Sequence, residues 1–384
     1  MNPKEIVIPR TIGIIGGGQL ARMTAYAAYR MGLEIAILDP EPDSPAGQIA
    51  HLKLVGSLND VSMLEELSRV SNLITLENEF VDAPLLEHLE SIGTCVFPTA
   101  HTVGLIQDKL LQKQTLEING IGVPHFMGVS SYEDIYIAGE RFGWPLLLKT
   151  RRNGYDGRGN VLIREPNDTL TAWKTLEGRK SSLMVESFVP FIKELAVMVA
   201  RSRNGEILSY PVVETIQKDH ICHIVKVPAN VGEDVSKMVA TIAKQAIETV
   251  NGVGIFGIEM FILEDKSVLI NELAPRPHNS GHYTIDACIT SQYENHLRAI
   301  LGLSLGPPTM IQPSAVMVNL LGNREGIAQV SGMENALSIP GVNLHIYGKR
   351  LTRTGRKMGH VTALGQNIEE ALDKATKAAS FITF

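Results

Sequence analysis

At 384 residues the chain is longer than one ordinary hydrophobic core supports, and its length points to two or three domains. A share of 44% hydrophobic and 20% charged residues is that of a globular protein in water, which argues against a disordered or membrane-embedded chain. With 35 Lys and Arg against 41 Asp and Glu, the net charge of -6 excludes a global field for nucleic acid or an anionic membrane, so anionic ligands must be held by local clusters.

The opening MNPKEIVIPR lacks the apolar core of a secretory signal, and no stretch approaches the roughly 20 apolar residues of a membrane helix. Cys95, Cys222 and Cys288 are far apart and odd in number, which fits neither a zinc spacing nor a disulfide framework. A cytoplasmic protein is the expectation.

Residues 1–100 alternate short β-branched runs, TIGIIG (11–16), LEIAILD (33–39), NLITLE (72–77) and TCVF (94–97), with amphipathic stretches such as Val61, Leu64 and Leu67. This pattern predicts a parallel α/β domain. Gly16, Gly18 and Ala21 follow the first run in a G-x-G-x-x-A turn, and Asp39 ends the second where a ribose-binding acid would sit. Such a turn alone proposes a dinucleotide, yet any anion at a helix start needs glycines to expose amide N–H groups. The turn is therefore assigned to another substrate, and an NAD-dependent Rossmann oxidoreductase is the weaker alternative.

A helix is expected over 101–118, and WPLLLKT (144–150) then opens an α+β region, 101–305, in which strands lead into glycine-rich or charged turns. Lys149 ends that strand, and NGYDGRG (153–159) follows with three glycines in six residues. Such a loop brings its backbone to phosphates and opens and closes over them, which makes 125–190 a candidate mobile subdomain. Glu186 and Glu194 stand at strand edges in apolar surroundings, as acids that could accept from an adenine amino group and ribose hydroxyls. One clear helix interrupts the region, with Val235, Met238, Val239, Ile242, Ala246 and Val250 on one stripe.

The most informative stretch is 255–283. IFGIEMFIL and SVLINEL both read as strands, with EDKS (264–267) as the turn between them. If EDKS alone forms the loop, Leu263 pairs with Val268 and counting outward sets Glu259 opposite Glu272, whereas a longer loop would shift the register and turn one Glu to solvent. Facing like charges destabilise a sheet unless something compensates, and Mg2+ is held by one or two carboxylates together with nucleotide phosphates. Arg276, His278, Asn279 and Ser280 follow on a segment stiffened by Pro275 and Pro277. Such a run of donors suits an oxyanion such as bicarbonate or phosphate. A seam at LGPPTM (305–310) precedes a small α+β segment, 306–384, with strand-like PSAVMVNLL and a last helix near 368–379.

Together GGGQLARM, ITLENEF, IQDKLLQK, GYDGRG, INELAPRPHNSGHYT and GRKMGHV resemble the ATP-grasp superfamily and, within it, the N5-carboxyaminoimidazole ribonucleotide synthases, over nearly the whole chain. The resemblance implies an ATP-grasp fold behind a Rossmann-like pre-ATP-grasp domain, in a homodimeric carbon–nitrogen ligase of purine biosynthesis. It implies ATP at Lys109, Lys149, Gly154, Tyr155, Asp156, Gly157, Arg158, Gly159, Glu186, Val189, Glu194, Asn271 and Glu272, with Mg2+, or Mn2+ in its place, on Glu259 and Glu272. Aminoimidazole ribonucleotide would lie at Gln19, Leu20, Glu77, Tyr155, Arg276 and Ser280, with its phosphate at Lys349 and Arg356. Arg276, His278 and Asn279 would be catalytic, orienting bicarbonate or the amine while carboxyphosphate forms. Lys109 stands where an Arg is usual in the family, Gln217 where His is frequent, and ITLENEF inverts Phe and Asn around Glu79. The nearest enzyme alternative is the formate-dependent glycinamide ribonucleotide transformylase of the same superfamily.

Overall fold

The computed structural model describes residues 10–154, 159–178 and 180–384. Strands Leu52–Val55, Glu34–Asp39, Thr11–Ile15 and Leu73–Leu76 lie in that spatial order in a parallel sheet. Ile12, Ile14, Ile35 and Ile37 are buried on one face and Ile15, Ala36 and Leu38 on the other, which is why these runs are apolar throughout rather than alternating. The edge strand Leu52–Val55 carries no apolar run and was not expected. TCVF contributes only the bridge between Ile74 and Val96.

The helix expected over 101–118 is two helices, Ala100–Gln107 and Lys109–Ile118, divided at Asp108. The Asp108 backbone is extended and its carboxylate accepts from the Leu110 and Leu111 amides. The Arg151 guanidinium grips the same carboxylate at 2.9 and 2.6 Å. An N-cap acid already in an ion pair thus breaks what helical periodicity reads as continuous.

Phe126–Val129, Leu183–Ser187, Leu146–Thr150 and Asn160–Ile163 form a second, antiparallel sheet, covered by helices Tyr132–Phe142 and Thr169–Thr175. The largest sheet has nine strands and runs from Val268–Ala274 through Gly254–Ile262, Lys193–Arg201, Val213–Lys218 and Ile221–Val227 to Ser314–Leu321, Lys357–Gly365 and Val342–Ile346, with Ile207–Ser209 pairing Lys193–Arg201 off this path. Helix Glu233–Thr249 seals one side through Val235, Val239, Ala243, Ala246 and Ile247, whereas Met238, placed on that stripe from sequence, is exposed. The sheet continues across 305–310, because Ser314–Leu321 pairs with both Ile221–Val227 and Lys357–Gly365.

The middle region holds more helices than expected, among them Gln292–Leu301. Tyr293, Leu297 and Ile300 on that helix share a core with Leu20, Ala21 and Ala28 of helix Gln19–Arg30. That shared core fixes the N-terminal glycine turn relative to the large sheet. No helix among the described residues is long and apolar enough to cross a membrane.

Candidate active site

One cleft of about 1190 Å3 brings together side chains from all three regions, including Gln19, Glu77, Lys149, Glu272, Arg276 and Lys349. On its floor the hairpin sets Glu259 opposite Glu272, as the sequence predicts, but the register arises differently. Ile262 pairs with Val268, so the turn has one more residue than EDKS, closed by the Leu263 amide on the Ser267 carbonyl at 3.0 Å. A β-bulge beside Glu259 then inserts Asn271 and restores the pairing. Two residues of a bulged strand oppose one on its partner, so the bulge presents Asn271 as well as Glu272 to Glu259. The Asn271 amide lies 3.4 Å from Glu259 Oε2.

These three side chains offer a hard cation oxygen donors from two carboxylates and one amide. The Lys109 ammonium already sits on Glu272 Oε2, a cationic stand-in on the carboxylate assigned to metal. Burial opposes charge on Glu272, but Lys109 outweighs it and holds the carboxyl well below the usual range. Burial, and then the facing Glu272 carboxylate, push Glu259 upward. Such a pair gains most from a second positive charge, and the donor set fits Mg2+ or Mn2+.

Behind Lys109, Glu186 is buried with Lys149 Nζ at 2.8 Å and Lys113 Nζ at 3.2 Å. The two lysines, with burial opposing them, hold Glu186 below its ordinary value, whereas burial brings Lys113 down to about 8. Lys113 also donates to the Asn271 carbonyl at 3.0 Å, which ties this cluster to the bulge. Nothing local in IQDKLLQK distinguishes Lys113 from a helix-surface lysine, although its place four residues after Lys109 puts both on one face. Val189 and Glu194 line the cleft, the Val189 carbonyl accepting from the Phe191 amide at 2.9 Å. Burial raises Glu194, and Gln217 hydrogen-bonds to it. Gly159 has φ +80 and its carbonyl accepts from Thr150 at 2.8 Å, closing the loop base opposite Gly154. Tyr155, Asp156, Gly157 and Arg158 lie outside the described residues.

Arg276 points into the cleft with its fork on Glu79: Nη2 meets Oε1 at 3.1 Å and Nε meets Oε2. Glu79 had no expected role, since a pair 197 positions apart leaves no local signal. His278 offers Nε2 to Glu259 at 3.6 Å, while its Nδ1 is 2.8 Å from Ser280 Oγ. Burial, with Arg276 nearby, pushes His278 down to about 4, so the ring is neutral at pH 7. Gln292 brackets the same residue, accepting from its amide and donating to its carbonyl, each at 2.9 Å. Ser280 was expected at the substrate, but the Asn279–Gly281 turn buries it behind His278 and away from the cleft wall. The Asn279 amide reaches the cleft yet is paired head to tail with Asn319, at 3.1 and 2.6 Å.

At the other end, the N-terminal glycine turn encloses an acid. The Leu20 amide, at the start of helix Gln19–Arg30, donates to Glu77 Oε1 at 3.4 Å, and Asn78 donates to Oε2 at 2.8 Å. A Cβ on Gly18 would collide with the Glu77 carboxylate, which explains the glycine. Asp39 accepts from the Gly17 and Glu41 amides at 2.6 and 2.8 Å. With one acid at the helix start and the other committed to the loop, a dinucleotide pyrophosphate would meet like charge there. Burial raises Glu77, and Arg276 and Lys349 counter it. Lys349 and Arg356 line the facing wall, where burial and then Arg356 bring Lys349 down to about 8.

Three family models cover most of the chain: a ribonucleotide synthetase preATP-grasp domain at residues 9–107, an ATP-grasp domain at 114–293 and a phosphoribosylaminoimidazole carboxylase C-terminal domain at 315–374. The phosphoribosylaminoimidazole carboxylase of Schizosaccharomyces pombe is 44% identical over 96% of this chain, which spans 67% of that protein. The N5-carboxyaminoimidazole ribonucleotide synthase of Synechococcus elongatus is 40% identical over 94% of this chain and 91% of its own length. Among solved structures, the N5-carboxyaminoimidazole synthase of Aspergillus clavatus in complex with ADP and 5-aminoimidazole ribonucleotide superposes with a TM-score of 0.88, at 34% identity over 97% of this chain and 98% of that one.

Proposed function

The chain belongs to the N5-carboxyaminoimidazole ribonucleotide synthases of the ATP-grasp superfamily, and from that membership we propose how its own residues divide the work. It is an ATP-dependent carboxylating ligase that acts on 5-aminoimidazole ribonucleotide in purine biosynthesis. The observation that carries the assignment of roles is the floor of the cleft: two acids and an amide on one face, with Lys109 resting on one acid.

In this reading bicarbonate is the carboxyl donor, attacking the γ-phosphorus of ATP to give carboxyphosphate and ADP. Glu259 and Glu272, with Asn271 beside them, would hold Mg2+ or Mn2+, which when bound offsets charge on the phosphates. Lys149 and Lys109 meet the phosphates. Glu186, between Lys113 and Lys149, keeps the Lys149 ammonium at the cleft wall, and Val189 and Glu194 line the nucleoside end. Arg276, held in orientation by Glu79, presents donors to bicarbonate. The neutral His278 ring orients bicarbonate or the amine, with Ser280 on the ring, Gln292 holding the His278 backbone and Asn279 braced by Asn319. Gln19, Leu20 and Glu77 receive the aminoimidazole nucleotide, and Lys349 and Arg356 its phosphate. Carboxyphosphate hydrolyses readily, so the glycine loop must exclude water while the carboxyl group passes to the amine.

The N-terminal domain divides from the rest at about residue 100, the segment after 305 completes the large sheet, and the subunits pair as a homodimer in the cytoplasm. The assay that tests the donor follows ADP release with bicarbonate and aminoimidazole ribonucleotide, and separately with formate and glycinamide ribonucleotide. ADP release requiring the first pair is expected; release requiring the second would overturn the proposal.

A further inference from the structure

Behind the cleft wall at His282, strands Val342–Ile346 and Lys357–Gly365 set His345 directly opposite His360. Opposed residues of an antiparallel pair project from the same face, and here the two rings stack 4.4 Å apart and 14° from parallel. Asp286, from the Thr284–Ala287 turn of helix, reaches them and places Oδ2 2.8 Å from His345 Nε2. One ligand atom from each of the three side chains lies within 4.8 Å of the others.

His360 supplies an independent indication. It is fully buried, and its Nδ1 is 2.9 Å from the Tyr347 hydroxyl, yet its Nε2 has no partner among the described residues. A ring that donates Nδ1–H to a fixed oxygen and presents the bare Nε2 lone pair is arranged as metal-ligating histidines are. His282 is not a fourth ligand, because it has no ring nitrogen within 4.8 Å of all three ligand atoms.

We propose that Asp286, His345 and His360 form a binding site for a divalent transition ion of the zinc class, separate from the acids of the cleft. Two imidazoles and one carboxylate are the donors such ions prefer, whereas magnesium selects oxygen. His345 and Asp286 keep 25% and 12% of their side-chain surface, which leaves an entry route, and binding turns the His345 ring out of its stack on His360 so that the two nitrogen lone pairs converge on one ion. An ion there ties the last strands of the large sheet to the turn that follows the Arg276–Ser280 loop, and so stiffens the loop without touching reactants.

The test is titration of the chelator-treated full chain with Co2+ in excess Mg2+, watched by visible absorption. One equivalent with the strong absorption of a tetrahedral site, displaced by Zn2+, is expected in the wild type and in a Glu259→Gln, Glu272→Gln double variant. His345→Ala and the isosteric Asp286→Asn, each checked for native circular dichroism, should weaken cobalt binding at least tenfold. Should His345→Ala fail to fold, Asp286→Asn decides. Absence of a bound equivalent in the wild type, or wild-type affinity in the folded variants, overturns the proposal.

Discussion

Lys349 offers a test of the substrate end of the cleft through pH alone. Burial and the neighbouring Arg356 bring this ammonium down to about 8, and only its charged form attracts the substrate phosphate. The group is a base, so its contribution is present below that value and is lost as pH rises through it. Roughly nine-tenths of the free site is charged at pH 7 and about one-tenth at pH 9, so kcat/KM for aminoimidazole ribonucleotide should fall about tenfold with a one-proton slope. Burial also brings Lys113 down to about 8, but it belongs to the Glu186 cluster, so ATP and bicarbonate are kept saturating while the ribonucleotide is varied. Lys349→Arg keeps its charge throughout this range and should flatten the alkaline limb. A wild type that stays flat to pH 9, or a limb that persists unchanged in Lys349→Arg, would refute the assignment of Lys349 to the phosphate.

Glu79→Gln removes the charged half of the fork that orients Arg276; urea unfolding should show a loss of about 2 kcal/mol, as for one charge-assisted pair, and KM for bicarbonate should rise about tenfold. Asn271→Ala keeps the bulged backbone but deletes the amide beside Glu259, so half-saturation by Mg2+ in the steady-state assay should move up by roughly tenfold with little change in Tm. Ser280→Ala frees His278 Nδ1, and kcat should drop by about tenfold while KM for ATP is unchanged. An unaltered kcat there would make Ser280 a packing residue only.

The sequence made the two acids legible because hairpin pairing follows from counting, and an apolar pair of strands with facing carboxylates asks for a cation. The count succeeded through two offsetting irregularities, a longer turn and the Asn271 bulge, neither of which alternation reveals. Short-range periodicity likewise located Thr11–Ile15, Glu34–Asp39 and the last helix, but joined two helices that the Arg151 grip on Asp108 holds apart. Lys113, Glu79 and Asn319 were invisible for a different reason. Each matters through a partner 40 to 197 positions away, and such pairings are set by the packed sheets and not by neighbours in the chain. Ser280 lies off the cleft wall because a run of donors reads as one surface, whereas the tight turn at Asn279–Gly281 leaves His278 and Asn279 on the wall and buries Ser280 behind them.

The claim on which the mechanism rests is that Glu259 and Glu272 jointly hold a divalent ion against the ATP phosphates. Mn2+ binding measured by electron paramagnetic resonance, with a non-hydrolysable ATP analogue at saturation, addresses it directly. The wild type should take up Mn2+ in a nucleotide-dependent manner, and Glu259→Gln and Glu272→Gln should each weaken that uptake at least tenfold while remaining folded. Nucleotide-dependent Mn2+ binding of wild-type strength in both variants would contradict the account.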